Sequence, residues 1–122
     1  MKSYTSIEQS KTLAEFLPLE SADMRFCFSH TLSGRVTGHY PMIGREPSMG
    51  TIPCWSLAAL HCVASTYCSR LEITLRADKK YNVFAVKDGF VFRSFDDHPD
   101  GFDNLVDACY EMVLKLHEQK LL

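Results

Sequence analysis

Apolar residues recur along this chain at two spacings, one typical of helices and one typical of strands. Ser6 with Gln9 three residues later fits a capping box and predicts a first helix from Ile7 to Leu17, which Pro18 ends. A second helix is predicted from Pro53 to about Cys68, with the proline at a first-turn position. Apolar residues cover most of its circumference, so we expect it to be central and buried.

The clearest strand pattern follows this second helix. Leu71–Arg76 alternates strictly between apolar and polar residues, and Tyr81–Val86 and Phe90–Phe95 come next. Asp88-Gly89 between the last two segments is a strong signal for a two-residue hairpin turn. The pattern therefore predicts a three-stranded antiparallel meander.

The two-residue turn fixes the register of the hairpin, and with it the two faces of the sheet. It places Ala85 opposite Phe92 and Val86 opposite Val91. The face that carries the valine pair is half apolar and is not expected to stay bare in water, so we expect the N-terminal fifty residues or another chain to cover it. We take this face as a candidate interface for a homo-oligomer or a protein partner, with these residues: Phe84, Val86, Val91 and Phe95.

The last predicted helix runs from Asp103 or Asn104 to about Gln119, with an apolar stripe at i, i+3, i+4 spacing. On its solvent side, Glu111 and Lys115 are spaced as a favourable ion pair. The predicted fold is α+β: an N-terminal helix, a central buried helix, the meander and a C-terminal amphipathic helix, with an α-β-β-β-α core.

Residues 29–53 are punctuated by glycine and proline throughout. A structureless loop of that length is uncommon inside a compact domain. Two alternatives follow: a strand within Arg35–Tyr40, or a long functional loop.

Length and composition restrict the class of protein. The 122 residues, 46% of them hydrophobic, predict a single domain over residues 1–122. A net charge of −2 argues against nucleic-acid binding, and no apolar run approaches the ~20 residues of a membrane span. The five cysteines are odd in number and form no C-x-x-C pair, which indicates reduced thiols in a cytoplasmic protein. We expect no metal and no cofactor.

Cys54 and Trp55 stand at the start of the second predicted helix. Cys54-Trp55-Ser56 resembles the nucleophile helix of papain-like cysteine proteases, where a helix N-terminus stabilises the thiolate. This resemblance implies a cysteine hydrolase or transferase with His98 as the base. The Gly-Ser lead-in and the upstream glutamine of that family are missing, so packing in a core helix is the preferred interpretation of Cys54.

Two other binding hypotheses concern the second half of the chain. Asp96, Asp100 and Asp107 fall at positions one, five and twelve of a calcium loop, but turn chemistry and acids favoured at a helix N-terminus are the preferred interpretation. The helix–three strands–helix order is similar to the double-stranded RNA-binding domain. However, only Lys79 and Lys80 form a basic pair, and aspartates stand where that family has phosphate-binding lysines.

Three blocks of sequence together resemble a family of small uncharacterised bacterial proteins associated with prophages and mobile elements. The blocks comprise these ranges: Leu13–Pro18 with Ser21–Met24, Pro53–Leu60, and Val106–Cys109 with Met112–Glu118. The resemblance implies no activity and no catalytic residue. Our leading expectation is therefore a small cytoplasmic accessory or protein-binding module without catalysis.

Overall fold

The computed structural model describes residues 2–44 and 51–119 and confirms the α+β class. Among these residues it contains four α-helices: α1 (Ile7–Ala14), α2 (Leu57–Tyr67), α3 (Ser94–Asp97) and α4 (Leu105–Glu118). The six strands are β1 (Met24–His30), β2 (Val36–Ile43), β3 (Ile52–Cys54), β4 (Arg70–Leu75), β5 (Tyr81–Lys87) and β6 (Phe90–Arg93). They form two three-stranded sheets, so the fold contains a sheet that the predicted α-β-β-β-α arrangement lacks. Contacts divide the chain into two compact units, one of residues Tyr4–Ala59 and one of residues 2–3 and 60–119.

In the first unit, α1 begins with the predicted capping box. The Ser6 hydroxyl accepts from Gln9 N, and the Gln9 side chain accepts from Ser6 N. The regular helix ends at Ala14, three residues before the predicted end. Beyond it, Phe16 N donates to Leu13 O at 3.2 Å and Leu17 N donates to the same oxygen at 2.8 Å, so a last turn with mixed i+3 and i+4 bonds reaches Leu17.

The sheet of the first unit has the strand order β2-β1-β3, and both neighbours run antiparallel to β1. Of the two alternatives for the glycine- and proline-rich segment, the strand is confirmed, since β2 covers Val36–Ile43. A short turn joins β1 to β2, in which Thr31 N donates to Arg35 O at 2.8 Å. Residues 45–50, which belong to the same segment, lie outside the described residues.

Pro41 lies in the edge strand β2, opposite Phe26 of β1. Gly44 N donates to Asp23 O at 2.9 Å, so these two residues form a hydrogen-bonded pair. Along an antiparallel ladder, non-hydrogen-bonded and hydrogen-bonded pairs then alternate from this pair onward. By this alternation Pro41 occupies a non-hydrogen-bonded position, and its nitrogen is directed away from β1. Strand β3 pairs with the opposite edge of β1, and the same alternation directs the nitrogen of Pro53 away from β1 there as well. Both outer edges of this sheet therefore carry a proline.

The second helix starts later than predicted. Pro53 and Cys54 belong to β3, and α2 begins only at Leu57. Ser56 is the residue that starts it, because its hydroxyl accepts from Ala59 N at 3.2 Å in the position of an N-cap. The predicted start at Pro53 is thus wrong, since antiparallel pairing with β1 holds that segment in a strand.

In the second unit, β4, β5 and β6 form the predicted antiparallel meander. The register pairs Ala85 with Phe92 and Val86 with Val91, as predicted. Asp88 and Gly89 connect the strands with φ angles of 52° and 85°. Positive φ at both central positions is typical of a type I′ turn, whose twist matches that of the flanking strands.

Helix α4 begins close to the predicted position. The Asn104 side chain accepts from Asp107 N and caps the helix. Glu111 and Lys115 have other partners than the predicted ones: Glu111 lies 3.4 Å from His98, and Lys115 lies 3.0 Å from Asp97. One face of the helix is fully or nearly buried and comprises Val106, Ala108, Cys109, Tyr110, Met112, Val113 and Leu116. Within residues 2–44 and 51–119, no helix has the length and apolar character needed to cross a bilayer.

Candidate protein-binding face and the Cys54 environment

The predicted interface lies on one face of the β4-β5-β6 sheet, which we call the outer face. The ladders align its residues in two rows across the three strands. One row is Glu72, Phe84 and Arg93, and the next is Arg70, Val86 and Val91. Residues directly opposite in a ladder share a face, so all six belong to the outer face.

The two faces of this sheet differ in burial along the central strand. On the inner face, Val83 and Ala85 are 0% exposed, and α4 contacts β5 and β6. On the outer face, Phe84 and Val86 are half-buried, while Val91 beside them is 42% exposed. The outer face thus has an apolar centre with access to solvent.

Charged side chains flank this apolar centre. Arg70 and Glu72 form an ion pair on β4, and Arg93 is exposed at the end of β6. An apolar centre with a charged rim is the usual composition of a protein interface. The strand alternation that identifies the apolar residues of this face in the sequence also assigns Glu72 and Arg93 to it.

Phe95 was predicted to continue the outer face. It lies instead in α3, because the strand ends at Arg93 and a helical turn begins at Ser94. The buried Ser94 hydroxyl accepts from Val83 N at 2.9 Å and so takes the place of a further strand pair. The alternation that assigned Phe95 to the outer face therefore does not extend to it, and its side chain lies outside the described part of the structure.

Cys54 lies at the end of β3 and is 0% exposed. Its thiol donates to Thr5 O at 3.6 Å and lies 3.7 Å from the Thr5 hydroxyl, which in turn lies 2.7 Å from the Ser10 hydroxyl. Burial raises the pKa of the Cys54 thiol, against the smaller opposite effect of the hydrogen bonds from Thr5 and Ser10. A neutral, buried thiol is a poor nucleophile at neutral pH.

His98 has partners of its own in the second unit. Its Nε2 lies 3.4 Å from Glu111 Oε2, and its ring packs against Phe102 with centroids 4.9 Å apart. His98 and Cys54 belong to different compact units. The described contacts of each residue thus assign it a structural role and give no support to the hydrolase hypothesis.

The calcium hypothesis also lacks support. Asp107, its predicted last ligand, accepts instead from Lys2 Nζ at 2.7 Å and from Asn104 Nδ2 at 2.8 Å. Among the side chains that the structure describes, which leave out Asp96 of this hypothesis, no group of three His, Cys, Asp or Glu residues is arranged to hold a metal ion.

Lys79 and Lys80, the basic pair available to the RNA-binding hypothesis, are partly neutralised. Lys80 forms an ion pair with Asp103, and this hydrogen bond raises the pKa of the Lys80 ammonium. Lys79 occupies the turn between β4 and β5 with a φ of 65°. An ammonium already paired with a carboxylate is a weaker phosphate ligand.

Comparisons with protein-family models, with curated proteins and with solved structures find no match for this chain.

Proposed function

We propose that this protein is a small accessory protein that binds another protein chain through the outer face of β4-β5-β6. The observation that carries the proposal is the cross-strand pair of Val86 and Val91, in which Val91 is 42% exposed. Half-buried Phe84 extends this apolar centre. An apolar centre with charges at its margin favours protein binding over catalysis.

The setting that we propose is the cytoplasm. All five cysteines are free thiols, which supports a reducing compartment. Membership in the prophage-associated family stays a prediction based on the sequence blocks.

Site-specific photo-crosslinking tests the proposed function. A photoreactive amino acid at Val91 should give a covalent adduct with a second polypeptide in cells that make the protein. The same amino acid at Ser65, an exposed position of α2, is the matched control and should give none. Val86→Lys should abolish the Val91 adduct, because it introduces a charge at the apolar centre.

Failure to form an adduct from position 91 would overturn the proposal. Equal adducts from positions 91 and 65 would do the same, because they would show nonspecific contact.

A further inference from the structure

We propose that the partner of the outer face is the same face of a second copy of this chain, related by a two-fold axis that runs parallel to β5 between the two sheets. This inference rests on the proposed function and names its partner. It is carried by the arrangement of charges in one row of the sheet, where Glu72 and Arg93 stand on opposite sides of Phe84.

The register puts these two charges at the same level. Phe84 on the central strand pairs with Glu72 of β4 on one side and with Arg93 of β6 on the other. Strands are about 4.8 Å apart, so the two charged residues flank β5 symmetrically. A two-fold axis parallel to β5 places β4 of one copy over β6 of the other. It leaves the position of each residue along the strand direction unchanged, so the same row of the two copies comes face to face. Glu72 of each copy then meets Arg93 of the other copy.

The neighbouring row is compatible with the same axis. Val86 meets its own copy across the axis, and Arg70 lies over Val91 of the second copy. The aliphatic part of an arginine covers apolar surface while its guanidinium stays solvated. Arg70 is also the ion-pair partner of Glu72 within one chain, and a carboxylate can accept from two donors.

The twist of packed sheets does not break this arrangement. Facing sheets pack at about 30° to each other, which inclines the two-fold axis by about 15° from the direction of β5. At about 4.8 Å from the axis, such a rotation moves a residue by only about 2.5 Å, which is within the reach of an arginine side chain.

The size of the face predicts a weak dimer. The six residues of β4 span about 20 Å and the three strands about 14 Å. A face of these dimensions buries less than the roughly 800 Å² per partner of a standard interface. We therefore expect a dimer whose population depends on protein concentration.

Charge reversal tests the axis directly. Each dimer contains two contacts between position 72 of one copy and position 93 of the other. In a dimer of either single variant, Glu72→Arg or Arg93→Glu, like charges meet at both contacts, which should weaken dimerisation by about tenfold or more. The double variant should dimerise like the wild type. An equimolar mixture of the two single variants should also form dimers, because each supplies the charge that the other lacks.

The measurement is sedimentation velocity over a roughly hundredfold range of concentration. Glu118→Arg, which makes the same charge change at an exposed position of α4, is the control and should dimerise normally. Recovery in the mixture shows that each single variant is folded, since a misfolded chain could not be rescued by its counterpart.

Dimers of the single variants at wild-type strength would overturn the inference, and so would failure of the double variant or the mixture to recover. A wild-type chain that stays monomeric at every concentration would overturn it as well. If position 91 then still crosslinks to a different polypeptide, the proposed function stands while the second copy is excluded as partner.

Discussion

The carboxylate of Asp23 accepts two hydrogen bonds from Ser56, one from its backbone N–H at 2.9 Å and one from its hydroxyl at 2.5 Å. The same hydroxyl accepts from Ala59 N at the first turn of α2. Asp23 therefore determines where the helix begins, although it lies 33 residues earlier in the chain.

Replacing this carboxylate should destabilise the protein. Asp23→Ala leaves the Ser56 N–H without its acceptor and should lower the free energy of unfolding by about 2 kcal/mol. Urea denaturation measures the change, and Glu20→Ala, at an exposed acid nearby, is the control and should change stability by less than about 0.5 kcal/mol. Equal effects of the two substitutions would contradict the role of Asp23.

Trp55, the single tryptophan of the chain, should report the folded state by fluorescence. Its side chain is 0% exposed, and its Nε1 donates to the Ser21 hydroxyl at 3.0 Å. We expect iodide to quench the native emission weakly and the urea-unfolded emission strongly. Similar quenching in both states would show that the indole is accessible in the native protein.

The cysteines should differ in their rates of alkylation. Cys62 is exposed, whereas Cys54 and Cys109 are 0% exposed. At neutral pH, iodoacetamide should modify Cys62 first and the two buried thiols at least about tenfold more slowly, because they react only after local opening. Peptide mapping by mass spectrometry measures this order, and Cys62→Ser should remove the fast phase. If Cys54 reacts fastest, the cysteine hydrolase hypothesis regains its nucleophile.

Burial raises the pKa of the Cys109 thiol from 9.0 to about 11. The folded state therefore holds this proton more tightly than the unfolded state. This tighter proton binding stabilises the folded state by about 3 kcal/mol. The contribution is fully present below pH 9 and is lost as the pH rises toward 11. Urea denaturation between pH 7 and about 11 should show this loss, and Cys109→Ala should have a shallower pH dependence. Parallel curves for the two proteins would contradict the assignment.

Features that depend on neighbouring residues could be predicted from the sequence. The capping box at Ser6 and the hairpin register set by Asp88-Gly89 are such features, because each is determined within a few residues. The start of α2 was predicted wrongly, since it depends on the pairing of β3 with β1 and on the distant carboxylate of Asp23. The signal within the sequence was Ser56 itself, a good N-cap residue directly before an apolar run.

The first sheet could not be predicted in full because its pairing is non-local. Met24 pairs with Ile43 on one side and with Cys54 on the other. The burial of Cys54 likewise depends on Thr5, which lies 49 residues away in the chain. For the outer face, local alternation found its apolar centre but failed at Phe95, where the buried Ser94 hydroxyl ends the strand.

The two prolines at the edges of the first sheet have a consequence for the behaviour of the protein at high concentration. An exposed strand edge is a template on which further chains polymerise into β-aggregates. Pro41 and Pro53 each present a ring where such a chain would need an N–H donor. Pairing of a further chain is therefore disfavoured at Pro41 on the β2 edge, and on the β3 edge Pro53 acts together with Thr5, whose N–H donates to Trp55 O at 2.9 Å.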